Sequence, residues 1–316
     1  MQRYAHFQKR RFGLVVPWEP LLVPLTLLAL FASALFAVGQ EPVREKPVRV
    51  GMAKAFFLDY PKIFVKLALA DFRSVITLTS GLKADIDTSD DADVVADRLN
   101  KRELDLGIFH GHEFAWLRKH HPELRPLVII PGKHEIERAY VVVHRDSAAH
   151  SIADLKGKRL NKPFGMKEHC RLFLERTLAD TAKMPVKRFF SGFDKSASQT
   201  AALDAVGRGD AEATIVDMEG WEFYKEIKGP AQTKNLRVLA ESDPFPPAVI
   251  AYREGALDEG TLTRFRDGLF KAPSTREGRE LMKAWNIAAF RDVPADHARS
   301  MDAVLKCFPP PDTASR

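Results

Sequence analysis

Two short runs concentrate the side chains able to do chemistry. His110-Gly111-His112-Glu113 places two imidazoles and a carboxylate within four residues, and Glu168-His169-Cys170 adds a carboxylate, an imidazole and a thiol. These are nitrogen, oxygen and sulfur donors of the kind that hold zinc or copper, with His110, His112 and His169 as candidate ligands, although the spacing matches no closed structural site. Two readings of the first run stay open: a cleft-facing loop that recognises a ligand, or a solvated loop in which His112 caps the helix that follows. Lys54 and Lys167 can supply positive charge to an anionic ligand, or can simply be solvated. Asp217 either meets a ligand's cation or hydrogen-bond donor, or caps the MEGWEFY helix, since aspartate is a strong N-cap. Trp221 and Tyr252 can wall a cleft or sit in the core. His120 and His121, at a helix end before Pro122, read as surface.

Catalysis finds little support. Cys170 lies beside His169, but neighbours in sequence rarely form a nucleophile–base pair. GxSxG, P-loop, GxGxxG and HExxH patterns do not occur, and no cofactor is called for. Asp90-Asp91 reads as a solvated helix start with favourable N-terminal charge. Cys170 and Cys307 lack CxxC spacing, which excludes a zinc ribbon or thioredoxin-type motif, and their pairing is left open.

The elements that position these groups alternate. VRVGMA from Val48 is a short strand, followed by a helix over Tyr60–Ile76 with Ile63, Phe64, Leu67, Leu69 and Phe72 near helical spacing. A second strand follows the TSGLKADI turn, a helix runs over Asp90–Asn100, and LDLGIF at Leu104–Phe109 leads into a helix over Glu113–His120. LRPLVII at Leu124–Ile130 and RAYVVVHR at Arg138–Arg145 are strands. A short helix, a strand from Leu160, a long helix over His169–Thr181 and the TAALDAVGRGDAEATIVD run come next. Leu236–Tyr252 is extended and broken by proline, and the remainder to Phe308 is mostly helical. Strand–helix alternation points to βαβ units around mainly parallel sheets. The strand near 140 and the extended stretch near 240 bracket a second lobe, and two crossing strands make a hinge with a ligand cleft between the lobes.

The 316 residues are 45% hydrophobic and 28% charged, an ordinary globular balance. The formal net charge is +6, but residues 1–39 hold four basic residues against one acidic, leaving only about half of that excess for the body. No arginine-rich stripe interleaves with aromatics, so nucleic acid is not an expected partner. The basic start, the apolar stretch from Leu21 to Val38 and the small residues Ala37 and Gly39 read as an export signal, or as an uncleaved anchor. The expected division is a signal peptide or anchor over 1–39, a linker over 40–46, lobe one over 47–138, lobe two over 139–238, and a return to lobe one with C-terminal helices over 239–316. The body lies outside the cytoplasm in either case, in the periplasm.

Four segments resemble the phosphate/phosphite/phosphonate-binding family of periplasmic ABC-transporter substrate-binding proteins: VRVGMA, LNKRELDLGIFHGHEFAW, AYVVVHRDSAAHSIADLKGKRL, and SQTAALDAVGRGDAEATIVD with the later LRVLAESDPFPP. The resemblance implies an α/β, two-lobed type II periplasmic-binding fold with two crossing hinge strands, and a solute-binding component that closes around a small ligand. A phosphorus oxyanion such as phosphate or phosphonate is the implied ligand class, and an ABC permease in the inner membrane the implied partner. The family's lobe-one ligand loop falls on His110, Gly111, His112 and Glu113, and its polar residue closing the second lobe's strand falls on Asp217. Where the family places a Ser/Thr-Ser-Gly oxyanion cradle at a helix start, this chain reads NKPFGMKEHCRLF, with Lys167, Glu168 and His169 and no hydroxyl between Ser151 and Thr177. The alternative is a membrane-tethered sensor or metal-binding protein that uses the same fold without transport.

Overall fold

The computed structural model describes residues 46–58 and 60–310, so the expected signal or anchor and most of the linker lie outside the described residues. The first lobe opens with β1 (Val48–Met52), α1 (Lys62–Ser80), β2 (Ala84–Asp87), α2 (Ala92–Asn100), β3 (Leu106–Phe109), α3 (Gly111–Leu117) and β4 (Leu124–Ile130). The second lobe contains β5 (Ala139–His144), β6 (Arg159–Pro163), α4 (Glu168–Thr181), the single turn α5 (Val186–Phe189), β7 (Gly192–Ser196), α6 (Gln199–Gly207), β8 (Ala213–Asp217), α7 (Met218–Thr233) and β9 (Leu236–Glu241). The chain then returns through β10 (Ala248–Arg253), α8 (Glu259–Lys271), α9 (Arg276–Ala284) and α10 (His297–Cys307).

Each lobe has one five-stranded sheet, ordered β2-β1-β3-β10-β4 and β7-β6-β8-β5-β9. In both, the strand arriving from the other lobe runs antiparallel to its neighbours: β10 against β3 and β4, and β5 against β8 and β9. The remaining pairs are parallel. Helices cover both faces of the sheets, so β3 and β8 are buried at every residue, the polar Thr214 and Asp217 of β8 included. This is the two-lobed α/β fold that the alternation of strands and helices implies.

Two segments cross between the lobes, and they are tied to each other. Glu137 and Phe245 exchange backbone hydrogen bonds of 2.9 and 2.8 Å. The Ser242 hydroxyl accepts from the Ala139 N–H at 2.9 Å, and Arg138 donates to the Ser242 carbonyl at 2.8 Å. The C-terminal segment bears on the same place. Phe308 stacks on Phe245 at 4.1 Å, Trp116 Nε1 donates to the Phe308 carbonyl at 2.7 Å, and Arg176 of α4 donates to the Pro309 carbonyl.

Helix α1 departs from its expected packing. Leu69, Phe72, Val75 and Ile76 are buried against the first sheet, whereas Ile63, Phe64 and Leu67, read from spacing as part of the same apolar face, are 57–59% exposed. Of these three only Phe64 lines the cleft, with Val65 and Ala68 of the same turns. The helix stops at Gly81, whose φ of 72° lets its N–H reach the Thr77 carbonyl. His121 is not at the surface either: its side chain is 12% exposed and its Nδ1 lies 2.6 Å from Asn100 Nδ2.

Candidate functional site

A cavity of about 1150 Å³ lies between the lobes. Its lining comes from the loop after β1, α1, the start of α3, the crossing segments, the start of α4, the starts of α6 and α7, and residues 284–290. Most of these are segments at the carboxyl ends of strands, where α/β folds bind ligands.

On the first lobe, β3 ends at Phe109 and α3 begins at once. His110 is its N-cap, and a reciprocal capping box forms with Glu113, whose Oε2 accepts from the His110 N–H and lies 3.0 Å from His110 Nδ1. The cap is therefore His110 with Glu113, and not His112 as the solvated-loop alternative expects. Burial raises the Glu113 carboxyl, but the charge and hydrogen bond of His110 outweigh it and hold the group below the usual glutamate range. His110 also stacks on Phe56 at 3.8 Å. His112 is 2% exposed, packs on Trp116 and Phe245, and has no partner for Nε2. Burial, with His110 adding to it, pushes the His112 imidazole down to about 3. Gly111 makes this approach possible: a Cβ there would stand 2.5 Å from the carbonyl oxygens of Pro246 and Pro247.

On the second lobe, Lys167 is the N-cap of α4, with no side-chain capping bond of its own. Its ammonium faces three carboxylates: Glu219 at 3.4 Å, Asp217 at 3.6 Å and Glu137 at 3.9 Å. Burial pulls the Lys167 ammonium down, but the three anions more than offset it and hold it above the usual lysine range. Burial raises Glu137, and Lys167 with His169 overcomes that, so its carboxyl stays ionised well below the ordinary range. Glu219 titrates above its ordinary value because of burial. His169 is 2% exposed, with Nδ1 2.8 Å from Glu137 Oε2, its ring against Phe245 at 5.3 Å, and Nε2 without a partner.

The two readings of Asp217 coexist. Its Oδ1 caps α7 by accepting from the Gly220 N–H at 2.7 Å, and its Oδ2 accepts from Gln199 Nε2 at 2.9 Å while facing Lys167. Glu168 lines the cavity but is neutralised by Arg171 one turn along α4. Lys54 is not brought to the cavity; it pairs with Asp91 at 2.8 Å on the surface. Glu113 is engaged behind the lining by His110, and Trp221 and Tyr252 also lie outside it. Among the described residues no three His, Cys, Asp or Glu groups are arranged to hold a metal ion, so His110, His112 and His169 do not converge as ligands. Both cysteines are free; Cys170 is buried, which raises its thiol well above the usual range, and Cys307 is exposed.

Sequence reasoning missed Glu137, Glu219, Gln199, Phe56 and Trp285. Glu137 carried one usable signal, a carboxylate two residues before the crossing strand Ala139–His144, where a side chain is set at the lobe junction.

The family model for the periplasmic substrate-binding protein of phosphonate ABC transporters matches residues 61–298. This chain belongs to that family. It is therefore a solute-binding protein with a periplasmic family setting, a transporter's substrate-binding component. No helix among the described residues is long and apolar enough to cross a membrane. None of the curated proteins matches in sequence. Solved structures share the fold at low identity. A Xanthomonas citri protein bound to ATP aligns with a TM-score of 0.57 at 16% identity, covering 84% of this chain and 97% of that one. A binding component of a Pseudomonas aeruginosa phosphonate transporter aligns at 0.55 and 15%, covering 82% and 86%. A Prochlorococcus marinus protein in complex with methylphosphonate aligns at 0.55 and 15%, covering 83% and 97%.

Proposed function

We propose that this protein is the receptor of an ABC importer and that its cargo is a small organic phosphonate carrying an amine. The family membership and the methylphosphonate held by the Prochlorococcus neighbour support the phosphonate half. The amine half rests on one observation, the enclosure of Lys167 by Glu137, Asp217 and Glu219. A bare dianion that took Lys167 would leave three carboxylates facing each other without a cation, which is costly in a partly desolvated site. A zwitterion exchanges both partners: its acid takes Lys167 while its ammonium takes the carboxylates. His112 and His169 line the cavity beside Lys167, where this sequence lacks a hydroxyl cradle, but their unpartnered Nε2 atoms are turned away from its open space.

Closure follows from where the groups sit. His110 and His112 belong to the first lobe, Lys167, His169, Asp217 and Glu219 to the second, and Glu137 to a crossing segment. A ligand that touches all three stabilises the shut form over the parted one, which is what a permease in the inner membrane would read.

The test is calorimetry with an aminoalkylphosphonate, methylphosphonate and phosphate, on wild type and Glu219→Gln. The expected order is aminoalkylphosphonate tightest, with Glu219→Gln weakening it about tenfold and tightening methylphosphonate, because one carboxylate fewer is left without a cation when the anion takes Lys167. Phosphate binding as tightly as the aminoalkylphosphonate would overturn the reading.

A further inference from the structure

The ion cluster occupies one end of a cavity far larger than its head group needs. About 1150 Å³ lies above the roughly 300–1,000 Å³ that enclose drug-sized ligands, and a one-carbon phosphonate fills a small part of it. The volume is not simply the gape of parted lobes. Asn286 of the first lobe already donates to Glu219 of the second, and Tyr60 meets Phe164 across the mouth at 5.5 Å with ring planes 67° apart.

One side of the remaining wall is a run of aromatic rings that starts beside the charged end. His110 stacks on Phe56, Phe56 tilts against Phe57 at 6.5 Å, and Phe57 meets Trp285 edge-on at 5.8 Å. Beyond Trp285 the lining reaches the rim, where Phe64, Phe164 and Phe223 are 50–58% exposed although all three face the cavity. Large apolar side chains left in water on both lips of a cleft mark a surface meant to be covered. Their continuity with the ion cluster through the ring ladder says by what: the rest of the molecule whose head lies at Lys167.

We infer that the cleft takes an amphiphilic solute, with its charged head among Lys167, Glu137, Asp217 and Glu219 and an aryl or medium alkyl substituent lying along Phe57 and Trp285 toward Phe64, Phe164 and Phe223. The identity of the head rests on the function proposed above, whereas the apolar substituent rests on the aromatic wall alone. Burial of a phenyl group against this wall adds area that a methyl group cannot reach.

Three matched pairs of probes separate the two assignments: methylphosphonate against phenylphosphonate, aminomethylphosphonate against its benzyl-substituted homologue, and methylamine against 2-phenylethylamine. Affinities are measured by calorimetry on the full chain, with wild type, Phe64→Ser and Phe223→Ser. The exposure of both positions lets these variants fold, and an unchanged melting temperature checks it. The apolar member is expected to bind at least tenfold tighter in at least one pair, and each serine variant to erode that gain threefold or more while leaving the shorter member unchanged. A gain confined to the amine pair sinks the phosphonate head and leaves this inference standing. Equal affinity within all three pairs overturns it, as does a serine variant that weakens long and short members alike.

Discussion

The starts of α3 and α4 bring a histidine each to the two sides of Phe245, but they are built differently. The α3 start is closed on itself: His110 and Glu113 satisfy each other within one turn, and Gly111 presses on Pro246 and Pro247. The α4 start is assembled from far pieces of chain. Lys167 and His169 find their partners at residues 137, 217 and 219, on a crossing segment and at the head of α7. A self-contained loop makes a fixed wall. A group whose partners come from elsewhere can be taken over by a ligand, because the ligand replaces those partners one for one.

The largest break in that contrast is Lys167→Met. It strands Glu137, Asp217 and Glu219 without their cation and is expected to lower stability by about 2–3 kcal/mol, less than a fully buried pair would lose because Lys167 is about one-third exposed. Binding of an aminoalkylphosphonate should fall at least a hundredfold by calorimetry. An equal loss from His110→Ala would mean that the two starts are not different in kind.

Next in size is a pH effect from the α3 side. His112 is held neutral down to about 3, from an ordinary 6.5, among His110, Glu113, His169 and Glu137. The unfolded imidazole gains a proton near 6.5 that the folded one refuses, so stability is full above that pH and is lost as pH falls. Between pH 6.5 and 5 the loss is on the order of 2 kcal/mol, and His112→Gln should flatten the melting-temperature profile across that window. Glu137 acts lower: its carboxyl is depressed from an ordinary 4.5, so its contribution is present above that value and disappears only in stronger acid.

Gly111→Ala probes the fixed wall. The added methyl must displace backbone carbonyls at 2.5 Å, and unfolding should be easier by about 1–3 kcal/mol, with ligand affinity reduced because His110 and His112 move with the helix start. Smallest is Lys54→Ala, which breaks an exposed pair with Asp91 and should shift stability by less than about 0.5 kcal/mol and leave binding untouched.

Much of the fold was legible because strand and helix periods are local. Leu124–Ile130 is a strand over the span its sequence suggests despite Pro126, since the ladder shifts register between Ile250 and Ala251, where a residue without an N–H costs nothing. Asp217 was readable as a helix-start residue beside a strand end and His110 as part of the loop after β3, and both line the cavity; that His110 is itself the cap was not. Lys54 misled because the loop after β1 faces the cleft with its phenylalanines and points its lysine to Asp91. Glu137 and Glu219 stayed hidden because their meaning comes from a lysine 30 and 52 residues away, a relation set by the crossing and not by any local period. The exposed Phe64 counted as core by spacing alone, since helical periodicity says which face is apolar and not what covers it.

The chain's C-terminal segment reaches over the hinge: Phe308 rests on Phe245, and Pro309 is held by Arg176 from the opposite lobe. A receptor's apparent affinity is its intrinsic affinity scaled by the fraction of molecules already in the competent shape. Phe308 and Pro309 lie outside the cavity lining, yet they bear on that fraction. Substitutions at Phe308 or Pro309 would therefore change apparent affinity while every contact in the cavity stays as it was.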